Sequence, residues 1–173
     1  MPEPAGIGVK LTVFCNTNHA GNKVNRRSHT GFIIFVNSAP IIWYSKKQNT
    51  VESSSFGSEF NALRIAVEHV ISLRYKLRMF GLPVIGPASI FCDNEAVQKS
   101  NSDPSQTLNK KHNSVCFHMT REAVAAGIIR LGWIKGTENP ADIFTKILDR
   151  IKRAKFVNML TYNSVGSVNP NNV

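Results

Sequence analysis

The sequence predicts a mixed α/β fold, a sheet that opens with an antiparallel hairpin and continues through parallel crossovers. Three observations carry that expectation: two β-branched and aromatic runs joined by a short turn, one long stretch of helical periodicity after them, and two later apolar runs separated by helical segments. Val9 to Cys15 and His29 to Val36 read as the first two strands. Pro40 to Ser45 (PIIWYS) follows the Asn37-Ser38-Ala39 turn as a third, paired with the second. From Ser55 to Met79 the residues Phe60, Leu63, Val67, Val70, Ile71 and Leu77 recur every three or four positions, and Gly81 then Pro83 stop the pattern. Ser89 to Cys92 is a short strand ending in Asp93-Asn94, and Glu95 to Lys99 a brief helix before the polar loop 100–111. His112 to Ala126 is helical and ends at Gly127, and Ile128 to Lys135 is the fifth strand. Asn139-Pro140 caps and starts the last helix. The order β-β-β-α-β-α-α-β-α places ligand sites beyond the strand ends, where strand order switches.

Residues 1–8 read as a flexible N-terminus, 9–148 as one domain, 149–162 as a basic C-terminal helix and 163–173 as a disordered tail with no apolar content to hold it. At 173 residues the chain can bury a real core. Its formal net charge of +10 sits on a sequence too apolar to be a disordered basic tail. Nucleic acid is the first partner such a surface suggests, an anionic membrane surface the second, and simple solubility the bland alternative. Cys15, Cys92 and Cys116 stand singly in apolar runs, which reads as reduced core thiols of an intracellular protein and not as a metal-thiolate site. Apolar stretches fall short of the roughly 20 residues a membrane span needs, so no membrane insertion is expected.

Acidic residues are scarce, and three of them stand where side chains reach an open end of the fold. Asp93 follows a strand and could simply be a turn residue. Asp142 lies three residues past the cap Asn139, where an acid favours the helix dipole. Glu59 sits in the first turn of the long helix, for which the same bland account holds. Taken together they can converge on a divalent cation such as Mg²⁺, which prefers oxygen ligands and keeps waters or substrate phosphates in its other positions. Two such ions about 3.5 to 4 Å apart can activate water and stabilise the leaving oxygen of a phosphodiester. Carboxylates in a basic surround are the arrangement a nuclease needs.

The stretches "VFCNTNHAGN", "RRSHTGFIIFVNSAPIIWYSKKQNTVESSSFGSEFNAL", "IFCDNEAV" and "KKHNSVCFHMTREAVAAGIIRLGWIKGTENPADIFTKIL" cover about residues 10 to 148. In that order they resemble the ribonuclease H domain of Ty1/copia-type retrotransposon polyproteins. The resemblance implies a ribonuclease H-like fold, a five-stranded mixed sheet with flanking helices. It also implies four metal-binding acids, from the first strand, the first helix, the fourth strand and the start of the last helix. Position by position these fall on Asn16, Glu59, Asp93 and Asp142. The first is a substituted position, because this chain reads Asn16-Thr17-Asn18-His19-Ala20 where the family reads along the lines of Asp-Ala-Asp-Trp-Ala. In the family that first carboxylate is shared by both metals. An asparagine keeps one carbonyl oxygen and loses the charge, so the resemblance implies Mg²⁺ (or Mn²⁺) binding with a weakened second metal site. His19 is expected to be a solvent-facing loop residue, since imidazole is a poor Mg²⁺ ligand.

The implied substrate is an RNA/DNA hybrid, held through phosphates and 2′-hydroxyls. Lys46, Lys47 and Gln48 after the third strand, Ser54, Ser55 and Ser58 around the start of the long helix, and Lys110, Lys111 and His112 are the residues placed for those contacts by the resemblance. His118 is expected to pack on a helix face, and Trp43 and Trp133 to lie in the core. Two functions follow as expectations. One is metal-dependent cleavage of the RNA strand of hybrids, impaired by Asn16, beside a reverse transcriptase domain in the same polyprotein and inside the cell, in a cytoplasmic particle or the nucleus. The other is a catalytically inactive hybrid-binding or structural module on the same fold. A third reading, an integrase core or resolvase, is opposed by "WYSKKQ" and "NPADIFTK".

Overall fold

The computed structural model describes residues 6–102 and 114–161. Strands β1 (Leu11–Asn18), β2 (His29–Val36) and β3 (Ala39–Lys47) are followed by helix α1 (Ser55–Met79), then β4 (Ala88–Cys92), α2 (Glu95–Ser102), α3 (Ser114–Ala125), β5 (Ile129–Trp133), a 3-10 turn (Pro140–Phe144) and α4 (Arg150–Leu160). The sheet runs β3-β2-β1-β4-β5. β1 is antiparallel to β2 and parallel to β4, and β4 is parallel to β5. The ends of β1 and β4 therefore stand side by side at one edge of the molecule, the crevice where α/β sheets place their sites.

One face of α1 covers the sheet. Phe60, Leu63, Val67 and Val70 are fully buried with Val13, Cys15, Phe32, Ile34 and Ile90, and Phe117 of α3 closes the layer. Ile71, expected on this stripe, is 39% exposed and lies off it. Trp43 and Trp133, expected in the core, are also exposed, at 67% and 52%. β3 and β5 are the two edge strands, so their side chains have fewer neighbours to cover them. Cys15 and Cys92 are buried as free thiols, whereas Cys116 is only half-buried.

Several boundaries move, β1 among them, which runs Leu11–Asn18 and not Val9 to Cys15. Gly6 N–H donates to Gly81 O and Val9 N–H to Pro83 O, so part of the stretch expected to be flexible is tied to the chain leaving α1. The helix expected from Pro140 is a single 3-10 turn. The separate helix α4 begins at Arg150, inside the stretch 149–162 read as a basic C-terminal helix, and the Asp149 carboxylate accepts the Lys152 N–H as its N-cap. The expected tail lies outside the described residues, as do residues 1–5.

Gly31 and Asn139 bring the 3-10 turn against the sheet. A Cβ on Gly31 would meet Thr145 Cγ2 at 2.6 Å and Phe144 Cβ at 2.7 Å, so only glycine lets the turn pack this closely on β2. Asn139, with no exposed surface, donates from Nδ2 to Cys15 O at 2.9 Å and accepts the Ala141 N–H on Oδ1. This one side chain caps the turn and pins it to β1 next to Asn16.

Candidate metal and nucleic-acid site

At the end of β1, Asn16 is 1% exposed and its amide faces the 3-10 turn. Asn16 Nδ2 donates to Asp142 Oδ1 and, at 2.9 Å, to Thr145 Oγ1. The next residue, Thr17, donates its backbone N–H to Glu59 Oε1 at 3.3 Å. Glu59 is the fifth residue of α1, so it belongs to the second turn and not to the first turn where the sequence pattern placed it. It is 7% exposed. Burial, the nearby Asp93 charge and, less strongly, Asp142 push its carboxyl well above the usual range. Asp93 follows β4 directly. Burial raises its pKa, with Asp142 adding to the rise while Lys146 and Lys152 oppose it. A Cβ on Gly136 would lie 3.3 Å from Asp93 Oδ2, which locates Asp93 against the loop before the 3-10 turn. Asn16, Glu59, Asp93 and Asp142 thus stand together at the adjoining ends of β1 and β4.

Their states differ. Asp142 is 2% exposed and both oxygens are claimed: Lys146 Nζ donates to Oδ1 at 2.9 Å, and Lys152 Nζ donates to Oδ2 at 2.5 Å and to Gly136 O at 3.3 Å. Asn16 Oδ1 and Glu59 Oε2, by contrast, are buried acceptors with no partner. Two orphaned acceptor oxygens beside a second carboxylate, Asp93, suit a hard cation, so Asn16, Glu59 and Asp93 could hold one divalent ion. A second ion would have to take Asp142 from two ammonium groups. Among the described residues no three His, Cys, Asp or Glu side chains form a ready cage. The donor set fits one cation and does not fit a pair. Burial, then the neighbouring Cys92 and the charges of Glu59 and Asp93, raise the Cys15 thiol well above its ordinary value, and burial with Glu59 and Asp93 raises Cys92 to about 12.

The proposed substrate contacts divide. Lys46 and Lys47 are exposed at the end of β3. Lys47 borders a cleft of about 240 Å³ with Asn18, Asn22, Arg27 and His29, and Lys46 and Lys47 border another of about 300 Å³ with Asn61 and Arg64. His29 is held below its ordinary pKa by burial and by Lys47. Gln48 borders the second cleft too, but is 3% exposed, and its Nε2 donates to Thr30 Oγ1, to Ser58 O and, at 3.5 Å, to Thr17 Oγ1, so it also braces the fold from inside. Ser58 is fully buried with its hydroxyl on Ser55 O and near His19 Nδ1. His19 is half-buried, with Ser58 Oγ 3.2 Å from its ring. Ser54 caps α1 by accepting the Gly57 N–H, and Ser55 is exposed. His118 is exposed and meets the Phe117 ring edge-on. Lys110, Lys111 and His112 lie outside the described residues.

Arg27, Arg64, Lys146 and Lys152 were not singled out from the sequence, and Asn139 was read only as a helix cap. Lys146 carried a signal, its four-residue spacing from Asp142 in a helical segment. Lys152 carried none, because a break in the helix separates it from Asp142.

The strand order and the grouping of side chains beyond β1 and β4 define a ribonuclease H-like fold. The N-terminal RNase H domain of a Mycobacterium tuberculosis protein superposes with a TM-score of 0.60 at 14% identity, covering 79% of this chain and 91% of that one. LC11-RNase H1 in complex with an RNA/DNA hybrid gives 0.58 at 17% identity, covering 78% and 93%. By sequence, the chain is 26% identical over 155 residues to the retrovirus-related Pol polyprotein from transposon RE1 of Arabidopsis thaliana, covering 90% of this chain and 11% of the relative. It resembles the ribonuclease H domain of Ty1/copia-type retrotransposon polyproteins, and it spans about a tenth of the length of the Pol polyproteins it matches. No family model matches it.

Proposed function

We propose that the chain is a retrotransposon-type ribonuclease H module that grips an RNA/DNA hybrid and whose cleavage of the RNA strand is impaired. Within its polyprotein it would act beside a reverse transcriptase domain. The observation that carries the impairment is the Asn16 amide donating a hydrogen bond to Asp142. A carboxylate at position 16 could not make that bond, and would instead add negative charge between Glu59, Asp93 and Asp142.

Mg²⁺, or Mn²⁺, would be held by Glu59 and Asp93 with the carbonyl oxygen of Asn16. When bound it would supply Lewis-acid activation of water and charge stabilisation at the phosphate. The chain's own residues do the rest. Lys46, Lys47, Arg27 and Arg64 edge the two clefts and would hold backbone phosphates, giving an affinity that falls as salt rises. Thr17 fixes the Glu59 carboxyl through its backbone N–H, and Gln48 locks β1, β2 and the start of α1 together behind it. No helix among the described residues is long and apolar enough to cross a bilayer.

The test is cleavage of a labelled hybrid in Mg²⁺ and in Mn²⁺ by the native chain and by Asn16→Asp. The Asp variant is expected to cut roughly a hundredfold faster, the scale on which a lost transition-state charge contact changes rates. Equal rates would overturn the impaired-centre reading. Absence of hybrid binding by both proteins at low salt would remove the nucleic-acid reading altogether.

A further inference from the structure

The donor set that fits one cation and rejects a second leaves a question about Asp142, which belongs to the pair of sites implied by the fold family but is fully engaged within the chain. Its oxygens accept from Asn16, Lys146 and Lys152, and the two ammonium groups have side-chain exposures of 38% and 26% against 2% for the carboxylate. Lys146 lies one turn from Asp142. Lys152 comes from elsewhere: it sits on α4, whose separate start is fixed by Asp149, and its Nζ spans from Asp142 Oδ2 to the Gly136 carbonyl beside Asp93. Its position is braced by the Phe156 ring, which is fully buried and lies 5.5 Å from Nζ. A flexible surface lysine would be mobile, whereas this one has an acceptor on each side and an aromatic face against it.

We propose that Lys152 is a built-in counter-cation for Asp142, standing in for one of the two divalent ions and coupling α4 to the centre. This rests on the ribonuclease H reading of the site. A single positive charge replaces a dication, so Asp142 is neutralised without metal. Divalent binding must then compete with an intramolecular contact whose effective concentration is high. Reciprocity follows: whatever factor Lys152 subtracts from metal affinity, bound metal subtracts from the hold of α4 on the centre.

The experiment is Mn²⁺ titration by calorimetry and electron paramagnetic resonance on the full chain, without substrate. The proteins are native, Lys152→Met, Lys152→Gln and Lys155→Met. Lys155 is a control, because it lies on the same helix, 5.9 Å from the Phe156 ring, and removes the same charge. Both Lys152 variants are expected to bind Mn²⁺ roughly tenfold more tightly than the native chain, while Lys155→Met follows the native chain. The Gln variant keeps a donor for Gly136 O, so the comparison survives if the Met variant folds poorly. Amide exchange in residues 150–160 should quicken with Mn²⁺ in the native chain and stay unchanged in Lys152→Gln. Equal Mn²⁺ affinity in the native and Lys152 proteins, or an equal gain in Lys155→Met, would overturn the proposal. Cleavage by Asn16→Asp is read separately, so a failed activity assay removes the functional reading and leaves the Lys152 coupling to its own result.

Discussion

The two halves of the centre solve the burial of charge in opposite ways. On the Asp142 side, a carboxylate that is 2% exposed has three side-chain donors and two compensating cations. On the Glu59 side, a carboxylate that is 7% exposed has one backbone N–H on one oxygen, and its other oxygen and the neighbouring Asn16 carbonyl have nothing. Buried acceptors without donors cost free energy, and a fold keeps them only where something else offsets the cost. The saturated half reads as part of the scaffold, and the unsaturated half as the part that retains a ligand function. Asn16 joins the two, donating to the first and leaving its carbonyl for the second.

The largest expected effect comes from breaking the saturated half. Asp142→Ala removes the acceptor of Asn16 Nδ2 and of both lysines, and should cost about 3 kcal/mol, the low end for a broken buried pair because the lysines can reach solvent. Chemical denaturation measures it. A loss below about 0.5 kcal/mol, the size of ordinary surface changes, would mean that the ion pairs contribute nothing to the scaffold. Asn139→Ala comes next. It removes the cap of the 3-10 turn and the bond to Cys15 O, leaving a buried carbonyl unpaired, and should cost about 2 kcal/mol. Because that bond sets the distance between the halves, the variant should also lose the Asn16-to-Asp142 contact, seen as a changed Asn16 side-chain amide resonance. An unchanged resonance would show that Gly31 and its packing hold the turn without Asn139.

The scaffold half was partly legible in the sequence, and the reasons divide by range. β2 and α1 have the bounds read from their residues, because a β-branched and aromatic run and three-to-four spacing are local signals. Asp93 and Asp142 could be suspected from their places at element ends. Trp43 and Trp133 were misread because exposure depends on which strands become edges, and no single strand carries that information. Gln48 and Ser58 looked like substrate contacts because amides and hydroxyls at an element junction suit either role. Only the packed neighbours, Thr17, Thr30 and Ser55, show that they face inward. Lys152 was invisible for the same kind of reason, since its partner lies across the break between the 3-10 turn and α4.

The smallest effect tests the unsaturated half by stability alone. Burial and Asp93 raise the Glu59 pKa in the fold, so the folded state favours its protonated form more than the unfolded chain does. The stability this contributes is fully present below the ordinary glutamate range and is lost as pH climbs through the raised folded value. Glu59→Gln has no such proton to lose. The variant and the native chain should therefore be about equally stable near pH 4, and the variant should become the more stable by on the order of 1 kcal/mol towards neutral pH, a shift of several degrees in melting temperature. Mn²⁺ should narrow the gap from the native side, because a cation beside the Glu59 carboxylate compensates the charge that burial penalises, and the glutamine offers it only a carbonyl. A gap that is constant with pH would mean that Glu59 is solvated when ionised, and the two halves of the centre would then differ in their partners but not in their cost.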